Sequence, residues 1–151
     1  MKLTLINPPS HYLENDAAYP PSGLLYIAGK VEELGHSAEI IDLTGNSDWV
    51  SGLSHVKQSD LFGITCVTPN VPTVLRIMDM LPEGTPVMIG GPHPTALPYD
   101  TITRAQREHT IVLGEAETIL EQILKDVEKG SIKQFYYGGD APVESIPMPA
   151  R

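Results

Sequence analysis

The residues best suited to contact a ligand lie in a short segment rich in glycine and proline, residues 90–94, with the sequence Gly-Gly-Pro-His-Pro. It directly follows the apolar run Pro86–Ile89, which predicts a buried strand. Glycine adopts backbone angles that other residues avoid, and proline ends a helix or a central strand, so the segment is predicted to be a loop. Such a loop presents bare backbone to a ligand at the carboxyl edge of an α/β sheet, and we expect Gly90, Gly91 and His93 to contact it. The alternative is a tight turn in which His93 bonds to backbone.

Two further apolar runs end in residues that can make polar contacts. Thr65 and Thr68 follow one run, and their hydroxyls can hydrogen-bond to a polar ligand held between strands. The alternative is that Thr68 or Asn70 caps the next helix. Gly114 and Glu115 follow another run, where the first N–H groups of a helix lack intrahelical partners. Ordinary acidity at a helix start is the alternative there.

The first loop, Asn7–Ser22, is also predicted to bind the ligand. It has 16 residues, whereas roughly two to six are usual for such a connection. Long loops in compact domains tend to carry function, although a surface excursion is the alternative. The contacts predicted from this loop and the start of the next helix are Asn7, Pro8, Tyr12, Tyr19, Ser22 and Gly23.

Strands and helices alternate along the chain and would position these loops. Apolar runs of strand length cover residues 2–6, 38–43, 61–65, 86–89 and 110–113. Helices are predicted over residues 22–34, 47–58, 70–81, 99–107 and 115–129. We predict an α/β, doubly wound, flavodoxin-like or Rossmann-like fold with a five-stranded parallel sheet in the order 2-1-3-4-5. Residues 134–137 are a candidate for an extra C-terminal edge strand, and the ligand is expected between strands 1 and 3.

The composition narrows the class of partner. A net charge of −9 disfavours nucleic acid and anionic membrane surfaces. No apolar run approaches the roughly 18 residues of a membrane span. The single cysteine, Cys66, excludes a disulfide framework and predicts a cytoplasmic chain. It also excludes an iron–sulfur cluster held by cysteines of this chain alone, because such a cluster needs several thiolates.

Several motifs, taken in order, resemble the cobalamin-binding domain at the front of cobalamin-dependent radical S-adenosylmethionine enzymes. They are residues 5–9 (LINPP), 19–28 (YPPSGLLYIA), 34–36 (LGH), 41–43 (IDL), 63–65 (GIT), 90–95 (GGPHPT) and 114–117 (GEAE). The resemblance implies cobalamin as the cofactor and methyl transfer by the full enzyme. It also implies a slot for the nucleotide base of cobalamin, bordered by Thr65, Thr68, Gly90 and Gly91.

The resemblance also divides the chain. Residues 1–140 are predicted to be the cobalamin-binding domain, and residues 141–151 a linker or the truncated start of a following domain. The 4Fe-4S cluster and S-adenosylmethionine would belong to a radical domain outside this sequence, either in the same polypeptide or in another one. No catalytic residue is predicted, so the chain is not expected to be an enzyme by itself.

This sequence departs from other cobalamin-binding modules in the residues that could ligate the cobalt ion. Cobalamin modules of methionine synthase and the mutases use an Asp-x-His-x-x-Gly loop after strand 1, whose histidine ligates cobalt. Here His11 lies in the corresponding loop, but Pro9 and Glu14 stand in place of the Asp and the Gly. A metal-bound histidine without an acceptor for its other nitrogen is poorly oriented. We therefore predict no metal ligand in this chain and a base-off cobalamin; ligation by His11 is the alternative.

Two other functions stay open at this point. One is a freestanding cobalamin carrier or sensor that acts through a partner protein. The other is a doubly wound regulatory domain that binds no cobalamin. A phosphoacceptor receiver is disfavoured because the first and third strands end in Asn7-Pro8 and Thr65 rather than in acidic residues. A dinucleotide-binding Rossmann domain is disfavoured because Gly-x-Gly-x-x-Gly does not follow strand 1.

Overall fold

A six-stranded parallel sheet forms the centre of the computed structural model, which describes residues 1–18, 20–54, 56–140 and 148–150. The strands are β1 (Lys2–Asn7), β2 (Ser37–Asp42), β3 (Leu61–Thr65), β4 (Val87–Gly90), β5 (Thr110–Leu113) and β6 (Phe135–Tyr137). Their order is β2-β1-β3-β4-β5-β6, and all neighbouring pairs are parallel. The predicted α/β class and the order of the first five strands are confirmed. The predicted number of five strands is wrong, because the candidate edge segment pairs with β5.

Side-chain anchoring explains why three residues suffice for β6. The Phe135 ring packs edge-on against Tyr99, with centroids 5.4 Å apart. Tyr136 is buried, and its hydroxyl donates to the Asp126 carboxylate at 2.7 Å. Burial of this phenol raises the pKa of Tyr136, and the hydrogen bond lowers the pKa of Asp126. These contacts come from distant parts of the chain, so local sequence indicates the strand only weakly.

In the described parts of the chain, six α-helices connect and cover the strands. They are α1 (Ser22–Glu33), α2 (Trp49–Leu53), α3 (Val71–Met80), α4 (Pro92–Ala96), α5 (Asp100–Arg104) and α6 (Leu120–Glu128). Part of the segment predicted as a loop after β4 is thus helical, because proline at a first helical position has its φ angle preset. The predicted helices at 47–58, 99–107 and 115–129 are shorter than expected. None of the described helices is long and apolar enough to cross a membrane.

Two apolar layers separate the sheet from its helices, because successive strand residues point to opposite faces. Under α1 and α6 the strands bury Leu3, Leu5, Leu61, Met88 and Val112. Under α2, α3 and α5 they bury Ile6, Phe62, Ile64, Val87 and Ile89. Helices therefore cover both faces, as a doubly wound sheet requires, and a ligand site is left for the edge where the strands end.

Residues 148–150 pack against α1. The Ala150 N–H donates to the Leu25 carbonyl oxygen at 3.1 Å, and a Cβ on Gly29 would overlap the Met148 carbonyl. Residues 141–147 and Arg151, which make up most of the predicted linker, lie outside the described residues. The predicted contact residue Tyr19 also lies outside them.

Candidate functional site

A cleft of about 570 Å³ opens at the carboxyl edge of the sheet. Its floor consists of strand residues on the face covered by α1 and α6, namely Leu5, Gly63, Met88 and Val112. One wall is the start of α1, with Leu24 and Ile27, and the other is the segment Glu115–Glu117 before α6. Small-molecule sites are commonly concave, mostly apolar and of this size, at roughly 300–1,000 Å³.

The mouth of the cleft is formed by residues that lie further along the same strands. Asn7, Thr65, Gly90 and Gly114 each lie two residues beyond a floor residue, and alternate strand residues share a face. The predicted contact residues that line the cleft are Asn7, Ser22, Gly23, Thr65, Gly90, Gly91, Gly114 and Glu115. The structure thus brings residues from four separate loops to one site.

The adjacent glycines after β4 have different structural roles. The nearest atoms to a Cβ on Gly90 would be in Val112, 3.8 Å away, so Gly90 keeps space open at the mouth. Gly91 has φ 107° and ψ −173°, which nearly only glycine adopts, and a Cβ there would lie 2.9 Å from the Cys66 carbonyl oxygen. Gly91 therefore lets the loops after β3 and β4 pack together. The Cys66 N–H bonds to the Gly90 carbonyl at 2.8 Å, and the His93 N–H bonds to the Cys66 carbonyl at 3.1 Å.

A second close backbone approach positions the wall next to α6. A Cβ on Gly138 would overlap the Glu115 carbonyl, and a Cβ on Gly114 would lie 2.6 Å from the Gly138 carbonyl oxygen. The Gly138 N–H also donates to the Leu113 carbonyl at 2.8 Å. On the other side, the Gly114 N–H donates to the Thr95 hydroxyl at 3.2 Å. The end of β6 and helix α4 thus fix the loop that bears Glu115.

His93 and Thr68 do not line the cleft; they contact each other beside it. His93 is 2% exposed, and its Nδ1 lies 3.2 Å from the Thr68 hydroxyl. Its Nε2 lies 3.1 Å from Asp100, which also accepts from Arg104 at 3.0 Å. Because a carboxylate only accepts, Nε2 donates to Asp100, and Nδ1 faces the Thr68 hydroxyl. Both ring nitrogens are engaged within the protein, and they join the loop after β3 to α5.

The first loop is held to the sheet by polar contacts. The Asp16 carboxylate accepts from the N–H groups of Ser10 at 2.9 Å and Gly45 at 2.8 Å. The Ser10 bond contributes most to lowering the pKa of Asp16 below its usual range. The Tyr12 hydroxyl donates to the Pro69 carbonyl, and the Tyr12 ring is 62% exposed. Tyr12 therefore lies over the end of β3, beside the cleft and outside its lining.

The remaining residues of this loop differ in their surroundings. Asn7 lines the cleft, and its amide nitrogen donates to Asp42 at 3.0 Å. Pro8 is buried and does not line the cleft. His11 is exposed and does not line it either. The loop therefore gives the cleft lining an amide side chain at the end of β1.

The cysteine and the buried histidine at the start of β5 do not form a metal site. Burial raises the pKa of the Cys66 thiol to about 12, so the thiolate does not form at neutral pH. His109 lies at the opposite edge of the sheet, bonded to the Arg107 carbonyl at 3.0 Å and the Thr101 hydroxyl at 3.1 Å. Burial lowers its pKa. Within the described parts of the chain, no group of three or more His, Cys, Asp or Glu residues could hold a metal ion.

Comparison with known proteins decides the family. A family model described as the B12 binding domain matches residues 15–124. This chain belongs to the B12-binding domain family. An uncharacterized methyltransferase from Pyrococcus horikoshii is 30% identical to this B12-binding domain over 139 residues, which is 86% of the chain and 30% of the relative. An anaerobic magnesium-protoporphyrin IX monomethyl ester cyclase from Synechocystis is 29% identical, over 85% of the chain and 28% of the relative. The chain thus spans less than a third of these relatives.

Solved structures share the fold of this B12-binding domain. The radical S-adenosylmethionine methyltransferase TsrM from Kitasatospora setae matches with a TM-score of 0.72 and 23% identity, over 85% of this chain and 26% of TsrM. The cobalamin-dependent S-adenosylmethionine radical enzyme OxsB, solved with aqua-cobalamin bound, matches with a TM-score of 0.71 and 18% identity. That match covers 99% of this chain and 24% of OxsB.

Sequence reasoning missed the floor of the cleft in this B12-binding domain. A Cβ on Gly63 would lie 2.8 Å from Leu5 Cδ2 and 3.0 Å from Met88 Cε, so this glycine leaves room for these two side chains from the neighbouring strands. A glycine inside a strand often marks such a close approach, and that pattern is present in the sequence. Thr95 was also missed as a lining residue, because its position depends on α4.

Proposed function

We propose that this chain is the cobalamin-binding module of a radical S-adenosylmethionine enzyme and that the cleft holds the nucleotide tail of the cofactor. The observation that carries the proposal is the cleft itself, which combines an apolar floor with a mouth of small and polar residues. It lies at the carboxyl edge, beside the β1–β3 switch point where doubly wound folds bind ligands. Membership of the B12-binding domain family supports the same ligand.

The lining residues fit a flat base and a polar tail. Gly90 has no side chain, and the nearest atoms to a Cβ there would be in Val112, 3.8 Å away, so a planar ring can approach this strand end closely. At the mouth, Ser22 and Thr65 offer hydroxyl groups to the sugar and phosphate. Neither group belongs to the apolar floor, so the expected arrangement is base inward and phosphate outward.

We further propose that the cofactor is held base-off and without a histidine ligand to cobalt. His11 and His93 follow β1 and β4 at this edge, and neither lines the cleft. His93 is buried with both nitrogens engaged, and His11 has Pro9 and Glu14 where the Asp-x-His-x-x-Gly loop has its aspartate and its glycine. Tyr12 and Leu13, exposed on the loop beside the cleft, are the groups that would lie beneath the corrin ring.

The complete enzyme is proposed to transfer methyl groups in the cytoplasm. When bound, cobalamin supplies a cobalt ion that accepts and releases a methyl group. The chain contains one cysteine, so the cluster and S-adenosylmethionine must be held by a further domain. The relatives are more than three times as long as the stretch they share with this chain, which leaves room for such a domain in them.

Retention of cobalamin through a desalting column tests the proposal. The protein is mixed with hydroxocobalamin, desalted, and examined by visible absorption. Gly90→Leu should abolish retention because its side chain enters the mouth of the cleft without backbone strain. Gly139→Leu is the matched control, since Gly139 has open space around it and does not line the cleft. A wild-type protein that emerges colourless, or a Gly90→Leu variant that retains as much cofactor as wild type, would overturn the proposal.

A further inference from the structure

We propose that the cleft discriminates between corrinoids by the chemistry of the lower base, and that it prefers an alkylated benzimidazole to a purine such as adenine. This inference rests on the proposed function, because it takes the cleft to be the place where the base lies. It goes further by naming the floor of the cleft as the part that sets the preference.

The closed end of the cleft offers only carbon and sulfur atoms from side chains. Leu5, Met88 and Val112 come from the strands, and Leu24 and Ile27 come from α1. The four of these other than Ile27 are at most 5% exposed. The strand backbone beneath them is paired, as Leu5 with Gly63 and Gly63 with Met88. A base that enters this end therefore meets side chains that cannot form hydrogen bonds.

The polar side chains of the lining lie outside the floor. They are the side chains of Asn7, Ser22, Thr65, Thr95, Glu115 and Glu117. Asn7, Thr65 and Glu115 belong to strand ends or to the loops directly after them, and Ser22 begins α1. The hydroxyl and amide groups among them can hydrogen-bond to a sugar or phosphate, and none of the six side chains belongs to the floor.

A purine would lose hydrogen bonds on entering such a floor. Adenine carries an amino group and ring nitrogens that water satisfies outside the protein. An unpaired polar group that becomes buried weakens binding by roughly 5- to 150-fold. An alkylated benzimidazole instead presents methyl groups to the same surface, where burial of apolar area is favourable.

The floor can also adjust to those methyl groups. The ends of Leu5 and Met88 meet over Gly63, since a Cβ there would lie 2.8 Å and 3.0 Å from them. Both are far ends of flexible side chains, and methionine in particular fills irregular space by rotating. The floor can therefore adjust to an added methyl group, but its side chains cannot form a hydrogen bond with an amino group.

Equilibrium binding of three corrinoids to the purified chain tests this inference. The probes are hydroxocobalamin, its analogue with adenine as the lower base, and cobinamide, which lacks the nucleotide. We expect hydroxocobalamin to bind at least about 10-fold more tightly than either of the others. Val112→Thr replaces a methyl group of the floor with a hydroxyl at nearly constant volume. It should reduce the preference for hydroxocobalamin over the adenine analogue several-fold. Val87→Thr, the same change at a buried position on the other face of the sheet, should leave it unchanged.

The possible failures separate the two proposals. If none of the three corrinoids binds, the proposed function is refuted, and the inference falls with it. If hydroxocobalamin and the adenine analogue bind equally, the inference alone is overturned. Equal binding of cobinamide overturns it as well, because the base then lies outside the cleft. If Val112→Thr and Val87→Thr change the preference for hydroxocobalamin equally, the floor does not determine that preference.

Discussion

The two adjacent glycines after β4 are predicted to respond in opposite ways to the same substitution. Gly91 has a φ of 107°, and a Cβ there would lie 2.9 Å from the Cys66 carbonyl oxygen and 3.2 Å from the Cys66 nitrogen. Gly90 ends a strand, and the nearest atoms to its Cβ would be in Val112, 3.8 Å away. Alanine at each position is therefore a matched pair of perturbations one residue apart.

The expected magnitudes follow from these geometries. A residue other than glycine in this backbone region costs about 1–3 kcal/mol, and the approach to Cys66 backbone adds to this. We therefore expect Gly91→Ala to lower the free energy of unfolding by about 3 kcal/mol, which is a fall in Tm of about 6–12 °C for a chain of this size. Gly90→Ala should be neutral or stabilise by up to about 1 kcal/mol, because alanine restricts the unfolded chain.

Thermal unfolding of the cofactor-free protein measures both effects. Circular dichroism in the far ultraviolet follows the loss of helix and strand, and wild type and both variants are compared in one buffer. The reasoning is refuted if Gly91→Ala unfolds within about 2 °C of wild type, or if Gly90→Ala is destabilised as strongly as Gly91→Ala. Either result would mean that the loops after β3 and β4 do not pack as described.

Three further predictions concern groups outside the cleft. Arg107 donates to the carbonyls of Met78 and Leu81 at the end of α3, so Arg107→Ala should lower the unfolding free energy by about 2 kcal/mol in urea titrations, and Arg107→Lys by less. His93→Ala removes a buried ring with two hydrogen bonds and should cost about 2–4 kcal/mol by the same measurement, a result that a neutral variant would contradict. Burial lowers the pKa of His109 below 6.5, so the unfolded state takes up a proton first. Stability should therefore fall as pH drops below 6.5, and His109→Gln should flatten that fall.

Local periodicity predicted the parts of the site that depend on where strands end. Apolar runs located the first five strands, and the carboxyl ends of parallel strands meet at one edge. Asn7, Thr65, Gly90 and Gly114 could therefore be predicted to converge, and they line one cleft. The positions of these residues follow from topology alone, which a pattern of strands and helices determines.

Contacts between distant residues decided the rest, and no local pattern encodes them. His93 lies in the predicted loop, but it turns inward because Thr68 and Asp100 satisfy its two nitrogens. The strand β6 depends on Tyr99 and on the Tyr136 bond to α6. The floor at Gly63 depends on which strands are neighbours, so the alternation of faces became informative only once the strand order was known.

Electron paramagnetic resonance of the protein-bound cobalt(II) form tests the central claim most directly. One spectrum reports both that cobalamin is bound and which atom lies below cobalt. We predict cobalt hyperfine lines without nitrogen superhyperfine splitting, and an identical spectrum for His11→Ala. Splitting that is present in the wild type and lost in His11→Ala would contradict the account, because it would identify a histidine-ligated carrier. Splitting that persists in His11→Ala would contradict it as well, because a nitrogen donor would still lie below cobalt.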